Sequence, residues 1–188
     1  MQDDRTLGER LDRLRELIKT PDFLEGRGLS NEVNIQMFCY DPKDEMQVRA
    51  FANQLMHSDD LGCRLIEYNL YRVFLDICGE KGIADKVPAL EDKKGSAFVL
   101  GQLERVANTK EFVRYMRNTL HGPGNVVLVT GVGEAFPFIR VHALLEAMQQ
   151  HFADVPVVVL YPGTYDGHQV QLFGRLEPNS YYRAFNTI

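Results

Sequence analysis

Long apolar runs are missing from this sequence of 188 residues. No stretch reaches the ~18 uninterrupted apolar residues that a membrane-spanning helix needs. The charged residues 1–19 lack the apolar centre of a secretory signal. Internal repeats and low-complexity tracts are absent as well. With 45% hydrophobic and 25% charged residues, the composition is that of a globular domain, and we expect neither a membrane protein, a coiled coil nor a disordered chain.

Cysteine and metal-binding motifs are scarce. The three cysteines are Cys39, Cys63 and Cys78, and no two of them form a Cys-x-x-Cys pair. The five histidines form neither a His-Glu-x-x-His nor a His-x-His motif. We therefore predict no metal site and no cofactor. Buried free thiols are expected, which are typical of the reducing cytoplasm.

Motifs of hydrolytic chemistry are also missing. The phosphate-loop pattern Gly-x4-Gly-Lys-Ser/Thr occurs nowhere, so the sequence lacks the lysine and the magnesium-binding hydroxyl that ordinary ATP hydrolysis requires. No Gly-x-Ser-x-Gly elbow marks a nucleophilic serine. The formal net charge is −5, so broad electrostatic attraction to nucleic acid is not expected. These absences predict a protein that is not an enzyme.

What is present is an alternation of amphipathic and buried segments, which is typical of a parallel sheet with crossover helices. A short loop between the last two predicted strands favours an antiparallel hairpin. We predict one α/β domain over residues 1–188, with a mainly parallel sheet of about five strands, helices on both faces and an antiparallel C-terminal edge strand. It is expected to resemble a nucleotide-hydrolase core without its phosphate loop.

The boundaries follow from periodicity, caps and turn residues. Pro137 suits the first turn of the last helix. Residues 83–95 are polar, and we predict a surface loop there. The predicted helices cover 4–19, the segment around Val48–Leu55, Tyr71–Cys78, Ala97–Leu120 (with Phe98 on its apolar face) and 137–152, and the predicted strands are Val33–Tyr40, Arg64–Leu70, Val126–Thr130, Val155–Tyr161 and Val170–Leu176.

The N-terminal helix, within residues 1–20, is amphipathic. Leu7, Leu11, Leu14 and Ile18 recur at spacings of four, three and four, and charged residues fill the other face. We expect this seam to pack on the body of the domain. The alternative is a docking arm for another chain, a second copy of this chain included.

A glycine turn follows the clearest buried strand. Gly131 and Gly133 lie between Val126–Thr130 and the next predicted helix, where helix amides and close backbone approach can bind phosphate. Glu134 and Arg140 would flank such a ligand. The third glycine of the dinucleotide fingerprint is missing, however. A structural turn is the favoured interpretation, and an anion or nucleotide pocket is the alternative.

Basic residues recur along the predicted helix Ala97–Leu120. Lys110, Arg114, Arg117 and His121 are spaced by four, three and four residues, so they share one face. A solvated face is the favoured interpretation because glutamates lie nearby. The alternative is a contact with an acidic partner or a nucleic-acid backbone.

Aromatic side chains are concentrated toward the C-terminus. Tyrosine and arginine often dominate the binding energy of protein interfaces, which favours a partner-binding segment. The alternative is that the same aromatics belong to the core. The candidate contact residues are Tyr161, Tyr165, Phe173, Tyr181, Tyr182 and Arg183.

Several collinear motifs resemble the BrxB family of bacteriophage-exclusion (BREX) defence systems. The resemblance covers nearly the full chain and is least distinctive over residues 83–120. It is carried by Gly28-Leu29-Ser30-Asn31-Glu32, Tyr40-Asp41-Pro42, Thr130-Gly131-Val132-Gly133, Pro137-Phe138-Ile139-Arg140, Pro156-Val157-Val158-Val159, Tyr161-Pro162-Gly163-x-Tyr165-Asp166-Gly167, Leu172-Phe173-Gly174 and Tyr181-Tyr182-Arg183-Ala184-Phe185.

This resemblance implies a component of a multi-protein complex that blocks phage replication. Its companions would include PglZ, an alkaline-phosphatase-like protein, as well as an adenine methyltransferase and large ATPases. The family carries over no catalytic residues. We therefore predict an adaptor that binds other BREX proteins, PglZ first, and meets nucleic acid only through the complex.

Overall fold

The computed structural model of the chain describes residues 5–25, 35–117, 122–149, 151–152, 155–166 and 169–180. None of the helices in these ranges is long and apolar enough to cross a membrane. The helices are α1 (Leu7–Ile18), α2 (Pro21–Leu24), α3 (Glu45–Met56), α4 (Leu70–Glu80), α5 (Val87–Lys94), α6 (Ser96–Val106), α7 (Thr109–Arg117), α8 (Val132–Ala135) and α9 (Val141–Gln149), and the strands are β1 (Ile35–Tyr40), β2 (Arg64–Asn69), β3 (Asn125–Thr130), β4 (Val157–Tyr165), β5 (Gln169–Leu172) and β6 (Asn179–Ser180).

The sheet is mainly parallel, as predicted. Its parallel part has the order β2-β3-β4-β1, so the first strand of the chain pairs with the fourth. Both Ile35 of β1 and Val127 of β3 pair with Val157 of β4. The far end of β4 pairs antiparallel with β5, which pairs with β6, and the predicted C-terminal hairpin is confirmed.

Helices cover both faces of the sheet because β3 and β4 are apolar on both sides. On one face, α1, α2 and α3 pack over the side chains of Phe38, Leu128 and Val158. On the other face, α4, α6, α7, α8 and α9 pack over Met37 and Val159. The hydrophobic core therefore has two layers separated by the sheet, as the predicted fold class requires.

The apolar seam of the N-terminal helix packs on the body of the protein. Leu11, Leu14 and Ile18 are buried in the same core layer as α3. Arg10 fixes the helix further, since its Nη2 donates to the carbonyl oxygen of Cys39 at 2.7 Å and its guanidinium lies 4.7 Å from the ring centre of Phe38. The expected packing is confirmed, and these seam residues are covered by the chain itself.

The connection between β2 and β3 differs from the prediction. Residues 83–95, predicted as a loop, hold a 3-10 turn at Ala84–Lys86 and the helix α5. The single helix predicted over Ala97–Leu120 is two helices, α6 and α7. The break has a local cause: Asn108 Oδ1 accepts from the backbone N–H groups of Lys110 and Glu111 and so begins a new helix.

Two boundaries near the glycine turn were also wrong. Pro137 does not begin a helix: α8 ends before it, because the residue preceding a proline is restricted to extended backbone, and α9 starts only at Val141. The strand predicted over Val155–Tyr161 runs on through Pro162 to Tyr165. Pro162 is tolerated there because it pairs with Tyr40, the last residue of β1, where the parallel ladder ends.

Candidate functional site

A small cavity lies at the carboxyl end of the parallel strands, beside α3. We name it the carboxyl-edge cavity, and its volume is about 230 Å³. The last residues of three strands line it, namely Tyr40 of β1, Asn69 of β2 and Thr130 of β3. Open α/β sheets bind ligands outside this edge of the sheet.

A network of hydrogen bonds and ion pairs forms one wall of the cavity. The Tyr40 hydroxyl donates to Glu45 Oε2 at 2.7 Å, and Arg49 Nε donates to Glu45 Oε1 at 2.7 Å. Arg49 Nη2 also lies 3.0 Å from Glu134 Oε1. Burial, and then the hydrogen bond to Glu45, raise the pKa of Tyr40, so its phenol keeps its proton at neutral pH. Glu134, singled out from the sequence, is thus held by Arg49.

The opposite wall joins β2 to β3. Thr130 Oγ1 donates to Glu67 Oε1 at 2.6 Å. Asn69 Oδ1 accepts from the backbone N–H of Arg72 at 3.1 Å and begins α4. The backbone of Gly131 has φ 66°, and a Cβ at this position would lie 2.7 Å from Asn69 Oδ1. Glycine therefore lets the turn pass close to Asn69 in a left-handed conformation.

The second glycine of the turn has a packing role as well. A Cβ on Gly133 would lie 2.9 Å from Cε1 of Phe173. Phe173 has φ 58° and packs against the core layer that contains β4. Gly131 thus leaves room for Asn69, and Gly133 leaves room for Phe173. Gly133 lies within α8, which is only four residues long.

Arg140 does not join the other residues of the predicted ligand site. It lines a separate cavity of about 200 Å³ together with His142, Tyr161 and Leu172. Burial, and then the positive charge of Arg140, lower the pKa of His142. Of the four residues predicted to bind a ligand, only Gly131 lines the carboxyl-edge cavity in the described part of the chain, and Arg140 lines the other cavity because α9 begins after an irregular segment.

The aromatic residues predicted to contact a partner separate into two groups. Tyr161 is 1% exposed and belongs to the core, because β4 is covered on both faces, so its assignment to a contact surface was wrong. Tyr165 and Phe173 are partly buried against the same core. Tyr181, Tyr182 and Arg183 lie outside the described residues.

The basic stripe lines an open groove. Lys110, Arg114 and Arg117 of α7 face a groove of about 790 Å³ whose other wall is α9. Arg114 forms ion pairs with Glu80 and Glu111. Hydrogen bonds from Arg114 and then Lys81 lower the pKa of Glu111. His121, the fourth predicted member of the stripe, lies outside the described residues.

Several features were missed by sequence reasoning. Phe98, predicted to face the core, is 44% exposed, although Val99 and Leu103 of the same helix are buried as predicted. Leu75 is 46% exposed on α4. The lining of the carboxyl-edge cavity by Arg49 and Glu67 was not predicted either, although Glu67 lies two residues before the end of β2. Its position near the carboxyl end of a predicted strand is the sequence feature from which its place at this edge of the sheet could have been inferred.

The carboxyl-edge cavity is equipped to bind polar groups. Its lining offers carboxylates, guanidinium groups and side-chain amides. Within the described part of the chain, no group of three or more histidine, cysteine, aspartate and glutamate side chains could hold a metal ion. All three thiols are free, and burial raises the pKa of each of them, that of Cys39 to about 12.

Comparison with known proteins gives a consistent result. The family described as "BREX protein BrxB" matches residues 66–187. The chain is 38% identical over 190 residues to a BREX protein BrxB of Bacillus cereus (strain H3081.97), with 98% of each chain covered. It is 28% identical over 186 residues to a BREX protein BrxB of Escherichia coli O9:H4 (strain HS), with 98% of this chain and 93% of that protein covered. No solved structure matches.

Proposed function

The chain belongs to the BrxB family and is a component of a bacterial BREX defence system, and we propose that it acts there as a non-catalytic adaptor that binds other BREX proteins. PglZ is the partner we propose for direct contact. This choice rests on the family resemblance. The free thiols suit the reducing cytoplasm, where we propose that the adaptor works.

The observation that carries the proposal is the helical layer between β2 and β3. A parallel crossover needs one helix, yet this one contains four, α4 to α7. No residue of α5 is buried, so this helix adds surface more than core. Leu75 of α4 and Phe98 of α6 expose large apolar side chains on the same side of the sheet.

Exposed apolar side chains of this kind favour protein contacts. Burying apolar surface stabilises a complex by roughly 25 cal/mol per Å². An aromatic side chain has only two side-chain torsions, so Phe98 loses little rotamer freedom on binding. We therefore propose Leu75 and Phe98, named the α4–α6 surface, as the contact for PglZ.

The test uses charge insertion on this surface. Leu75→Asp and Phe98→Asp are expected to weaken capture of PglZ by the tagged protein about tenfold or more, because each buries an unpaired carboxylate at the contact. Met46→Asp is the matched control: Met46 is 74% exposed and lies on α3, on the opposite face of the sheet. Equal capture by all three variants, with unchanged melting temperatures, would overturn the α4–α6 surface.

The C-terminal aromatic segment is a second candidate contact for PglZ. Tyr182→Ala combined with Arg183→Ala is expected to weaken capture without lowering the melting temperature. Unchanged capture would remove this segment from the proposal. If PglZ binds neither by this segment nor by the α4–α6 surface, and copurification of the BREX proteins yields no complex with the chain, the adaptor function is wrong.

A regulatory nucleotide or phosphate site is the second candidate function. The carboxyl-edge cavity favours it, because Gly131 and Arg72 both line it at the edge of the sheet where α/β proteins bind such ligands. Calorimetry with ATP, ADP and cyclic nucleotides tests it, and Arg72→Gln is expected to weaken binding because the variant lacks a cation for the phosphate. No heat at millimolar ligand removes this candidate, whereas turnover of a nucleotide by the isolated chain would contradict the non-catalytic assignment.

A further inference from the structure

The groove between α7 and α9 has a basic wall and an apolar floor. Lys110, Arg114 and Arg117 stand on the α7 side. Ala143 and Ala147 of α9 are one helical turn apart and, with Val113, form a floor of small and apolar side chains. Alanine keeps the floor low, so a partner backbone can approach the helix closely. We name this feature the α7–α9 groove.

The cations of this wall are not equivalent. Arg114 is engaged, because Glu80 and Glu111 both form ion pairs with it. The side chains of Lys110 and Arg117 have no carboxylate partner within the described part of the chain, and both are exposed. They lie seven residues apart on one helix, which is about 10.5 Å along its axis.

The distribution of charge favours a protein segment over a nucleic acid. A phosphate backbone binds through many uncompensated cations, since each one neutralised releases counterions. Among the described arginines and lysines of this groove only two are uncompensated, and Glu146 lines the groove from the α9 side. Two carboxylates two helical turns apart would match Lys110 and Arg117, while apolar side chains between them would rest on Ala143 and Ala147.

We propose that the α7–α9 groove binds an acidic amphipathic helix of a partner protein. Carboxylates of that helix pair with Lys110 and Arg117, and its apolar face covers the alanine floor. The groove is separate from the α4–α6 surface, so it supplies the second contact that a bridging adaptor requires. In that sense the inference deepens the proposed function, although the groove is tested without PglZ.

The experiment uses a synthetic probe. A fluorescein-labelled peptide of Glu, Leu and Ala, with glutamates seven residues apart beside a leucine face, is titrated with the full chain and followed by anisotropy. Lys110→Glu combined with Arg117→Glu is expected to weaken binding about tenfold or more. Ala147→Leu, which fills the floor without changing charge, is expected to weaken binding as well. Lys43→Glu combined with Lys93→Glu makes the same change in net charge away from the groove and is expected to bind normally.

Three results would overturn the inference. They are absence of peptide binding at high micromolar protein, equal weakening by the groove and control charge reversals, and tighter binding of a DNA oligonucleotide than of the peptide. The last result would assign the groove to a nucleic-acid backbone. PglZ capture by the groove variants is measured in parallel. A negative peptide result therefore does not count against the α4–α6 surface, and normal PglZ capture by the α4–α6 variants does not count against the groove.

Discussion

The glycine at position 131 shows how one residue serves two constraints. Its φ of 66° is a left-handed conformation, and Asn69 occupies the space that a side chain would need. Asn69 in turn caps α4, so the turn after β3 and the start of α4 depend on each other. The glycine motif that looked like a ligand loop therefore has a structural reason independent of any ligand.

Replacing this glycine gives the first prediction. Gly131→Ala is expected to lower the free energy of unfolding by about 2–4 kcal/mol, which combines backbone strain with displacement of Asn69. Gly82→Ala is the matched control, since Gly82 has φ +64° but nothing lies within 4 Å of its Cβ position. The control is expected to cost only about 1 kcal/mol of strain. Urea unfolding measures both, and equal losses would show that the contact with Asn69 contributes nothing.

The half-buried His142 predicts a pH dependence of stability. Burial and Arg140 lower its pKa in the folded state below the ordinary 6.5. Above pH 6.5 the imidazole is neutral in both the folded and the unfolded chain, so the protein keeps its full stability with respect to this group. As the pH falls below 6.5, the unfolded chain takes up the proton first, and the folded state loses stability.

The measurement compares melting temperatures at pH 7.5 and pH 5.5. Between pH 7.5 and pH 5.5, the melting temperature of the parent protein is expected to fall by more than that of the His142→Gln variant, because the variant cannot take up the proton. His57, which is exposed and whose Nδ1 lies 2.7 Å from the Asn53 carbonyl oxygen, provides the control substitution. If His142→Gln and the parent protein lose the same amount, the pH dependence has another origin.

At the scale of elements, the α6–α7 boundary is decided by one side chain. The apolar spacing of residues 97–120 is compatible with a continuous helix, but Asn108 offers its side-chain oxygen to the N–H groups of Lys110 and Glu111. Its Nδ2 also donates to the carbonyl oxygen of Arg105 at 2.8 Å. Asn108 thus satisfies groups on both sides of the break and redirects α7 toward α9.

Removing this cap gives a prediction for the element. Asn108→Ala is expected to lower the free energy of unfolding by about 1 kcal/mol, because the first N–H groups of α7 lose their acceptor. Asn108→Asp keeps a side-chain acceptor and is expected to lower the free energy of unfolding by less. Chemical denaturation followed by circular dichroism measures both variants. An alanine variant as stable as the aspartate variant would mean that packing alone sets the boundary.

At the scale of the whole molecule, β4 connects distant parts of the chain. β1 pairs along one side of β4, β3 pairs with β4 as well, and the end of β4 continues into the hairpin with β5. Residues from the first quarter of the chain are thereby hydrogen-bonded to residues from the last quarter. The core layers on the two faces both include side chains of this strand, Val158 on one and Val159 on the other.

This arrangement predicts a single cooperative unfolding transition, in keeping with one domain. Neither core layer can be lost without exposing β4 on that face. Far-UV circular dichroism and tyrosine fluorescence are the two probes, since the chain has no tryptophan. Their urea transitions are expected to coincide. Two separated transitions would contradict the single-domain prediction and would place a boundary between the layers.

The order of the five predicted strands along the chain, and the class of the fold, were determined by the sequence itself. Hydrophobic periodicity shows which face of a segment is buried, and continuous apolar runs such as Val126–Thr130 indicate strands covered on both sides. Collinear motifs likewise identified the family. Boundaries were less accurate where a single side chain competes with periodicity, as at Asn108, or where a strand continues through Pro162.

Only the tertiary structure decided which residues become neighbours. Periodicity carries no information about strand order, so the pairing of Thr130 with Glu67 and of Arg49 with Glu134 follows from the way the sheet is assembled. The same assembly placed Arg140 in a different cavity and Tyr161 in the core. Sites form where segments distant in sequence converge, and that convergence is fixed by packing of the whole chain, which local spacing does not encode.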